Sequence, residues 1–470
     1  MSEPTPSHTE WADALRRAAS DLAQGRVRDA EVILKAIAVD HPDEPDVVHL
    51  LGTLYLQTER LDEAIKTIGR AIVIKDDNPA YHHNLGLAHR STGSLTDAEA
   101  AFRRAVKLGP DVVDYYIALG ITLQRQTRYD EAEAVFLKAA NLQPSSFEAQ
   151  TGLAMVWEEQ GCTEKAETGY RKALKFGETP TLYFNLGNVL KDQHRADEAE
   201  AAYARAIELM PDYAEAHVHR AFSLLLKGNL LPAWEEYEWR WKVPAFTSPR
   251  RTLTVPQWRG EPLNGCTLLI HAEQGFGDAV QFIRYTQAAS KAGGRIVVEC
   301  HESLSRLIAS APGVDEVTFA HKPLPPIDLH IPLLSLPSVF GTTLKTIPAD
   351  IPYLAASDDD VEKWRERFSG LSGLKIGIAW RGSAEPRGNP PRACSIEHFR
   401  PILECPDVHL FSLQKDIAED ELPLLADIQN LSTELGDFGD TAAVVMALDL
   451  VITIDSVIAH IAGALACPFW

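Results

Sequence analysis

Three short segments carry residue types that could do chemistry together. The first is His271-Ala272-Glu273-Gln274-Gly275-Phe276-Gly277-Asp278. It leaves an apolar run, turns on two glycines and enters a helical pattern, so Gln274, Gly275 and Gly277 could line a cleft and admit a ligand close to the backbone. Asp278 at that helix start could serve as a base toward a hydroxyl, or simply as a helix cap. The second segment is Trp380-Arg381-Gly382-Ser383, running on to Arg392 and Ser395. Arg381, Arg387 and Arg392 are cations in an acidic region, and arginine grips phosphate oxygens bidentately; a solvated polar loop is the plain alternative. Pro386, Pro390 and Pro391 favour an ordered or lid-like loop there over a helix. The third segment, Thr453-Ile454-Asp455-Ser456-Val457-Ile458-Ala459-His460, ends a strand-like run. Ser456 can cap the next helix and leave its first amide groups open to an anion. His460 is one turn in, where a satisfied core histidine is the competing reading. Gln414 and Lys415 end another strand-like run and are weak alone.

The elements that must hold these segments alternate between strand and helix. Thr267–Glu273, Arg295–Cys300, Val314–Phe319 and Leu329–Leu333 read as strands, with helical patterns at Asp278–Ala292 and Glu302–Ala311. A second unit of this kind follows the charged helix Asp359–Phe368. Its expected strands are Lys375–Trp380, Val408–Leu413 and Val451–Asp455, and its helices are Ile396–Leu403, Thr441–Leu448 and Val457–Ala466. Such alternation predicts two α/β halves with parallel sheets and a cleft outside the carboxyl ends of the strands. Pro468-Phe469-Trp470 reads as the opening of one more strand, and the expectation is a chain that lacks the end of its second half.

Ahead of residue 244 the pattern is different. Gly52, Gly86 and Gly120 recur every 34 residues, and Gly187 continues the series. Ala64, Ala98, Ala132 and Ala199 follow them. Next come Ile68, Phe102, Phe136 and Tyr203, and then Ala71, Ala105, Ala139 and Ala206. Pro110, Pro144 and Pro211 close three of the units. This is the tetratricopeptide pattern, two antiparallel helices per unit. Small residues let the paired helices approach, and the larger side chain four residues on fills the gap. Unit starts fall at Trp11, Pro45, Pro79, Val113, Phe147, Pro180 and Ala214. The sixth position of each unit lies in the groove that such a solenoid offers a peptide. Asn84 and Asn185 stand there, resembling two rungs of the asparagine ladder of O-linked N-acetylglucosamine transferases; the other five rungs are not asparagine. His82 and His83 are adjacent on one helix and so face different ways, which speaks against a metal pair.

The expected organisation is a repeat array over 11–243, a proline-rich connector over 244–264, and α/β halves over 265–356 and 357–470. Trp234, Tyr237, Trp239 and Trp241 read as a hydrophobic plug sealing the last repeat against the next domain. The net charge of −21 is spread over both halves with no basic stripe, so nucleic acid is an unfavourable ligand. The apolar stretch 444–470 is broken by Asp449, Asp455 and His460, which fits a buried core better than a membrane span. Residues 1–10 lack the basic and apolar parts of a secretory signal. The six cysteines form no Cys-x-x-Cys pair and no zinc spacing, so reduced thiols in a cytoplasmic setting, and no metal, are expected.

Taken together, residues 230–470 resemble the heptosyltransferase-like glycosyltransferases of family nine, in the branch fused behind tetratricopeptide repeats. The resemblance rests on Glu235–Trp241, His271–Tyr285, Ile378–Ser395, Ser412–Lys415 and Asp455–Pro468. It implies the double-Rossmann GT-B fold and inverting transfer from a nucleotide sugar, without a bound metal or other cofactor. It implies Asp278 as general base, and Gly382, Arg392, Lys415, Asp455, Ser456 and His460 around the donor. The loop after Gly382 departs from the family pattern, lacking its Asn-Pro-x-His-x-Asn-Asp run. The acceptor expected from this resemblance is a protein or peptide presented by the repeats. The competing expectation is a non-catalytic adaptor whose repeats bind protein partners and whose transferase-like region is degenerate.

Overall fold

The computed structural model describes residues 8–246, 248, 251, 253–273, 275–382 and 393–470. The chain divides into two compact units, Met1–Ser223 and Leu224–Trp470.

The first unit is a row of helical hairpins. First helices run His8–Ala23, Pro45–Gln57, Pro79–Ser91, Val113–Arg125, Phe147–Glu159 and Pro180–Asp192, and a further helix starts at Ala214. Second helices include Leu61–Ile74, Leu95–Leu108, Tyr129–Leu142, Thr163–Ala173 and Ala196–Leu209. Proline at the first helical position costs no hydrogen bond and presets φ, which sets the start at Pro45, Pro79 and Pro180. The expected starts hold from Pro45 onward, and the first helix begins earlier, at His8. The glycine-to-aromatic spacing works as a close approach between paired helices. A methyl group on Gly120 would lie 2.7 Å from the Phe136 ring, so only glycine fits. The alanines and aromatics of this pattern, from Ala64 and Phe102 to Tyr203 and Ala206, are fully buried.

The second unit holds two four-stranded sheets. The strands are β1 Thr267–His271, β2 Arg295–Glu299, β3 Glu316–Thr318, β4 Leu329–Pro332, β5 Leu374–Ala379, β6 Val408–Ser412, β7 Gln429–Asn430 and β8 Leu450–Thr453. Their orders are β3-β2-β1-β4 and β7-β6-β5-β8, and every pairing is parallel. The same order in both sheets means the same winding twice. In each, the chain reverses direction beside the central strand, between β1 and β4 and between β5 and β8, where open parallel sheets leave a crevice. Near-continuous apolar burial of β1, β2 and β5 is what a sheet covered on both faces requires. Residues 468–470 run parallel to the outer edge of β8: the Trp470 amide donates to Val451 O at 2.8 Å, and the Thr453 amide to Trp470 O at 2.9 Å.

Several expected elements are shorter or broken. The helix expected over Asp278–Ala292 is three pieces: Phe276–Phe282, a 3₁₀ turn Ile283–Tyr285, and Thr286–Ser290. Thr286 Oγ1 donates to Ile283 O at 2.7 Å and Arg284 Nε to Gln281 O at 2.9 Å, so side chains take carbonyls the helix ladder would use. The Glu302–Ala311 and Ile396–Leu403 helices likewise open with 3₁₀ turns. Strand β7 has two exposed residues and no alternation to betray it.

Candidate functional site

Strand β1 delivers the first segment. The helix Phe276–Phe282 is capped by Gly275, whose φ of −64 and ψ of 169 are extended, with no side-chain cap. Asp278 is therefore not the cap residue; it sits inside the first turn, where a carboxylate is favoured by the helix dipole. Gly277 is small for a reason other than ligand access: a methyl group there would stand 2.7 Å from His460 Cδ2. His460 thus packs helix Val457–Ala464 onto helix Phe276–Phe282, and its Nδ1 lies 3.3 Å from Gln281 Oε1.

Strand β8 delivers the third segment. Ser456 caps the helix Val457–Ala464, accepting from the Ile458 amide at 3.3 Å, and its hydroxyl lies 3.0 Å from Thr453 Oγ1. Strand β5 ends at Ala379 and leads to Gly382. The Arg381 guanidinium turns away to Asp416 O at 2.6 Å and Glu421 Oε2 at 3.1 Å. It is a structural ion pair rather than a free anion grip. Lys415 follows β6 and donates to Gly436 O at 2.8 Å.

These ends converge. One cavity of about 790 Å³ is lined by Gly275, Gly277, Asp278, Gly382, Lys415, Asp455, Ser456 and His460. Gln274 and Arg392, like Arg387, lie outside the described residues. Asn84 and Asn185 belong to the first unit. Asn84 spends its amide nitrogen within the array, on His49 Nε2 at 2.9 Å and Thr53 Oγ1 at 3.0 Å. Burial holds His49 neutral by pushing its pKa down to about 4, so that nitrogen can accept. His82 reaches Asp76 O at 2.9 Å, whereas His83 packs against Phe102 and Tyr115.

Three features were not foreseen. Phe276, His301 and Phe438 form an aromatic corner of the cavity, with ring centroids 5.1 Å apart for both Phe276 contacts. Arg306 joins Asp437, Asp440 and Asp360 just outside it. The third is a buried ion pair beneath the glycine turn. Arg240 donates to Glu273 at 2.7 Å, Ser335 at 2.8 Å and Glu238 at 2.9 Å, between the rings of Tyr237 and Trp241. Burial raises the Glu273 carboxyl to about 7 despite Arg240, and its Oε2 has no hydrogen-bond partner among the described residues. The Glu235–Trp241 stretch held a signal in its alternating aromatics, but an arginine at its centre reads from sequence as a surface residue. Trp234 is buried in the same layer, its indole donating to Thr342 O at 3.0 Å.

The described residues that line the cavity include Asp278, Asp416, Asp437 and Asp455 together with Arg381 and Lys415, and Asp437 is paired with Arg306. No group of His, Cys, Asp and Glu among the described residues could hold a metal ion, and no described helix is long and apolar enough to cross a membrane.

The two units together define a tetratricopeptide solenoid joined to a paired parallel-sheet region. The family models that match fall on the solenoid. The family model of the middle TPR-like domain of Cilia and flagella-associated protein 70 matches residues 57–175, and tetratricopeptide repeat models match 21–86 and 180–213. Protein FlbA of Caulobacter vibrioides is 24% identical over 366 residues, covering 62% of this chain and 60% of FlbA. The chain thus spans less than two thirds of that relative. Among solved structures, Pseudomonas aeruginosa pilF is 16% identical with a TM-score of 0.42, over 45% of this chain and 97% of pilF. YrrB, a TPR protein described as having an unusual peptide-binding site, is 16% identical with a TM-score of 0.35, over 39% of this chain and 95% of YrrB.

Proposed function

We propose that this protein is a binding scaffold whose repeat array holds a protein or peptide partner. The observation that carries this reading is the row of first helices. Their inner faces pack on the second helices, and a continuous face of partly exposed residues, Ile121 and Met155 among them, is left open across successive hairpins. A surface of that kind is the default binding face of a solenoid. The test is photo-cross-linking in cells of origin with the full chain. A cross-linker replacing Ile121 should capture a discrete partner that one replacing Val73, 87% exposed on a second helix, does not. Equal labelling from both positions would sink the scaffold reading.

A second reading is favoured by one further observation, the convergence of eight expected site residues on one cavity at the carboxyl ends of two parallel sheets. In this reading the second unit is a GT-B glycosyltransferase. The Asp278 carboxylate takes the proton of an acceptor hydroxyl as its oxygen attacks the anomeric carbon, and the nucleoside diphosphate leaves. The Ser456-capped helix start and Lys415 would face the diphosphate. A panel of nucleotide sugars should raise the melting temperature of the second unit, and Asp278→Asn should cut turnover about 10²–10⁴-fold with donor binding retained. No thermal shift with any nucleotide sugar, or near-normal turnover of the Asn variant, removes this reading and leaves the scaffold.

A further inference from the structure

The open face of the array has a chemistry of its own. Helix Pro79–Ser91 touches helix Val113–Arg125, which touches helix Phe147–Glu159, so the first helices form the inner, shorter arc of the row. Leu87, Ile121 and Met155 occupy the same position on these three helices, one repeat apart, and Ile121 and Met155 are each 37% exposed. They form an apolar track across three hairpins. One helical turn further on, on the same face, lies a second track. It carries Arg90 and Arg125 on the first two helices and Glu159 on the third; the neighbouring Glu158 accepts from the Tyr170 hydroxyl of its own hairpin.

The two arginines differ from four others of the array. Arg103, Arg128, Arg171 and Arg195 each bridge two glutamates. Arg90 and Arg125 have no carboxylate at ion-pair distance among the described residues. Arg90 donates to Ala118 O and lies over the Phe102 ring, 5.5 Å from its centroid, and Arg125 donates to Arg90 O; both hydrogen bonds are 3.4 Å. Burial and the Arg125 charge both work against the protonated form of Arg90. Two adjacent cations without an anion gain most from an incoming carboxylate.

Resting on the scaffold reading, we propose that the groove takes an extended peptide whose three apolar side chains alternate with acidic residues over the first two helices and with a basic residue over the third. The apolar side chains lie on Leu87, Ile121 and Met155, the acidic ones on Arg90 and Arg125, and the basic one on Glu159. The spacing is consistent with this. Helices in contact lie about 8–10 Å apart, and a chain in the polyproline II form advances about 3.1 Å per residue with three residues per turn. Apolar residues three apart therefore share one face of the ligand and meet successive rungs.

Two fluorescein-labelled peptides test the proposal by anisotropy with the full chain. Both carry three leucines spaced three apart with serines between, and a lysine after the third leucine. One has an aspartate after each of the first two leucines, and the other a lysine at those two positions. The acidic peptide is expected to bind about tenfold tighter at low salt, a gap that closes as salt rises. Arg90→Glu with Arg125→Glu should reverse the order, and Arg90→Gln with Arg125→Gln should abolish the preference if the reversal variant fails to fold. Ile121→Asp should weaken both peptides. Equal affinity, an order that survives the reversal, or no binding of either peptide at 1 mM (about −4 kcal/mol) overturns the proposal. A partner captured at Ile121 alongside such a failure would leave the scaffold standing and this ligand chemistry wrong.

Discussion

The array and the paired sheets solve the same problem with contacts of different range. In the array each structural decision is local. Gly120 meets Phe136 within one hairpin, and each hairpin packs on its neighbours. In the second unit the decisive contacts are remote. Strand β1 is flanked by β2 and β4, and the helix after β1 is held by His460, whose bond to Gln281 spans 179 positions. Local contacts leave a periodic trace in the sequence; remote ones leave only hydrophobic runs and turn residues. They also differ in how charge is buried. The array keeps its ion pairs on the surface, while the sheet unit buries Arg240 and Glu273 at 1% and 2% side-chain exposure.

That difference should appear as opposite responses to pH, the largest effects expected. In the array, burial lowers His49 and His219 from 6.5 to about 4. A histidine with a depressed folded pKa contributes stability that is present above its unfolded value and lost as pH falls through its folded value. Each should cost the array on the order of 2–3 kcal/mol between pH 6.5 and 4. Glu273 has the reverse sign: its folded pKa is raised to about 7, so its contribution is present below about 4.5 and lost as pH rises to 7. His271, lowered to about 3, adds an acid-side loss to the same unit, so Glu273 must be isolated by substitution. Hydrogen exchange resolved by segment should show His49→Gln and His219→Gln blunting the acid loss of helices around residues 45–91 and 180–222. Glu273→Gln, which mimics the protonated acid, should gain on the parent around β1 from pH 5 to pH 8, by at most about 3 kcal/mol. A Gln variant with a pH-independent difference from the parent would mean Glu273 stays ionised in the folded chain.

Two glycine-to-alanine changes sharpen the contrast within the array. At Gly120 the added methyl meets the Phe136 ring at 2.7 Å, and overpacking of this kind costs about 1–3 kcal/mol. At Gly69, inside helix Leu61–Ile74, nothing lies within 4 Å of the new methyl, and the helix gains about 1 kcal/mol from alanine. Thermal unfolding followed by circular dichroism should therefore move down for Gly120→Ala and up for Gly69→Ala. Shifts of the same sign would show that the helix pairing is looser than its packing implies.

These two ranges explain what could be read in advance. Hairpin starts were legible because proline, glycine and aromatic positions repeat with the fold. The fifth hairpin was legible from its register alone, because it solves the close approach in reverse. Ala154 stands in the glycine slot, and Gly169 on the facing helix gives way, its added methyl falling 2.8 Å from Ala154 Cβ. In the second unit the strands were legible as apolar runs. The end of β1 was not: Glu273 looks like strand continuation, but it turns inward to an arginine the sequence places on another element. The expected residues that line the cavity share one legible trait, a place just after a strand end. The aromatic corner was missed because Phe276 reads only as the spacer between two glycines.

The smallest expected effect concerns the turns inside the hairpins. The chain bends between paired helices through one residue with positive φ, at Gly25, Gly93 and Gly161, and equally at Glu59, Thr127 and His194. Glycine adopts this conformation without steric cost, whereas a β-branched residue there is strained. Thr127, at φ 61, is the β-branched case. Its hydroxyl bonds to Gln126 O at 2.6 Å, which recovers part of the cost. Thr127→Gly removes the strain but adds unfolded-state entropy of about 0.5–1 kcal/mol. The net gain should be about 0.5 kcal/mol, a rise of roughly 1–2 °C for a unit of this size. Gly93→Thr should lose more than that gain, because it adds the strain without the inherited contacts. If Thr127→Gly instead lowers the melting temperature, the hydroxyl bond outweighs the backbone strain, and the turn rather than the helix pair sets the register of that hairpin.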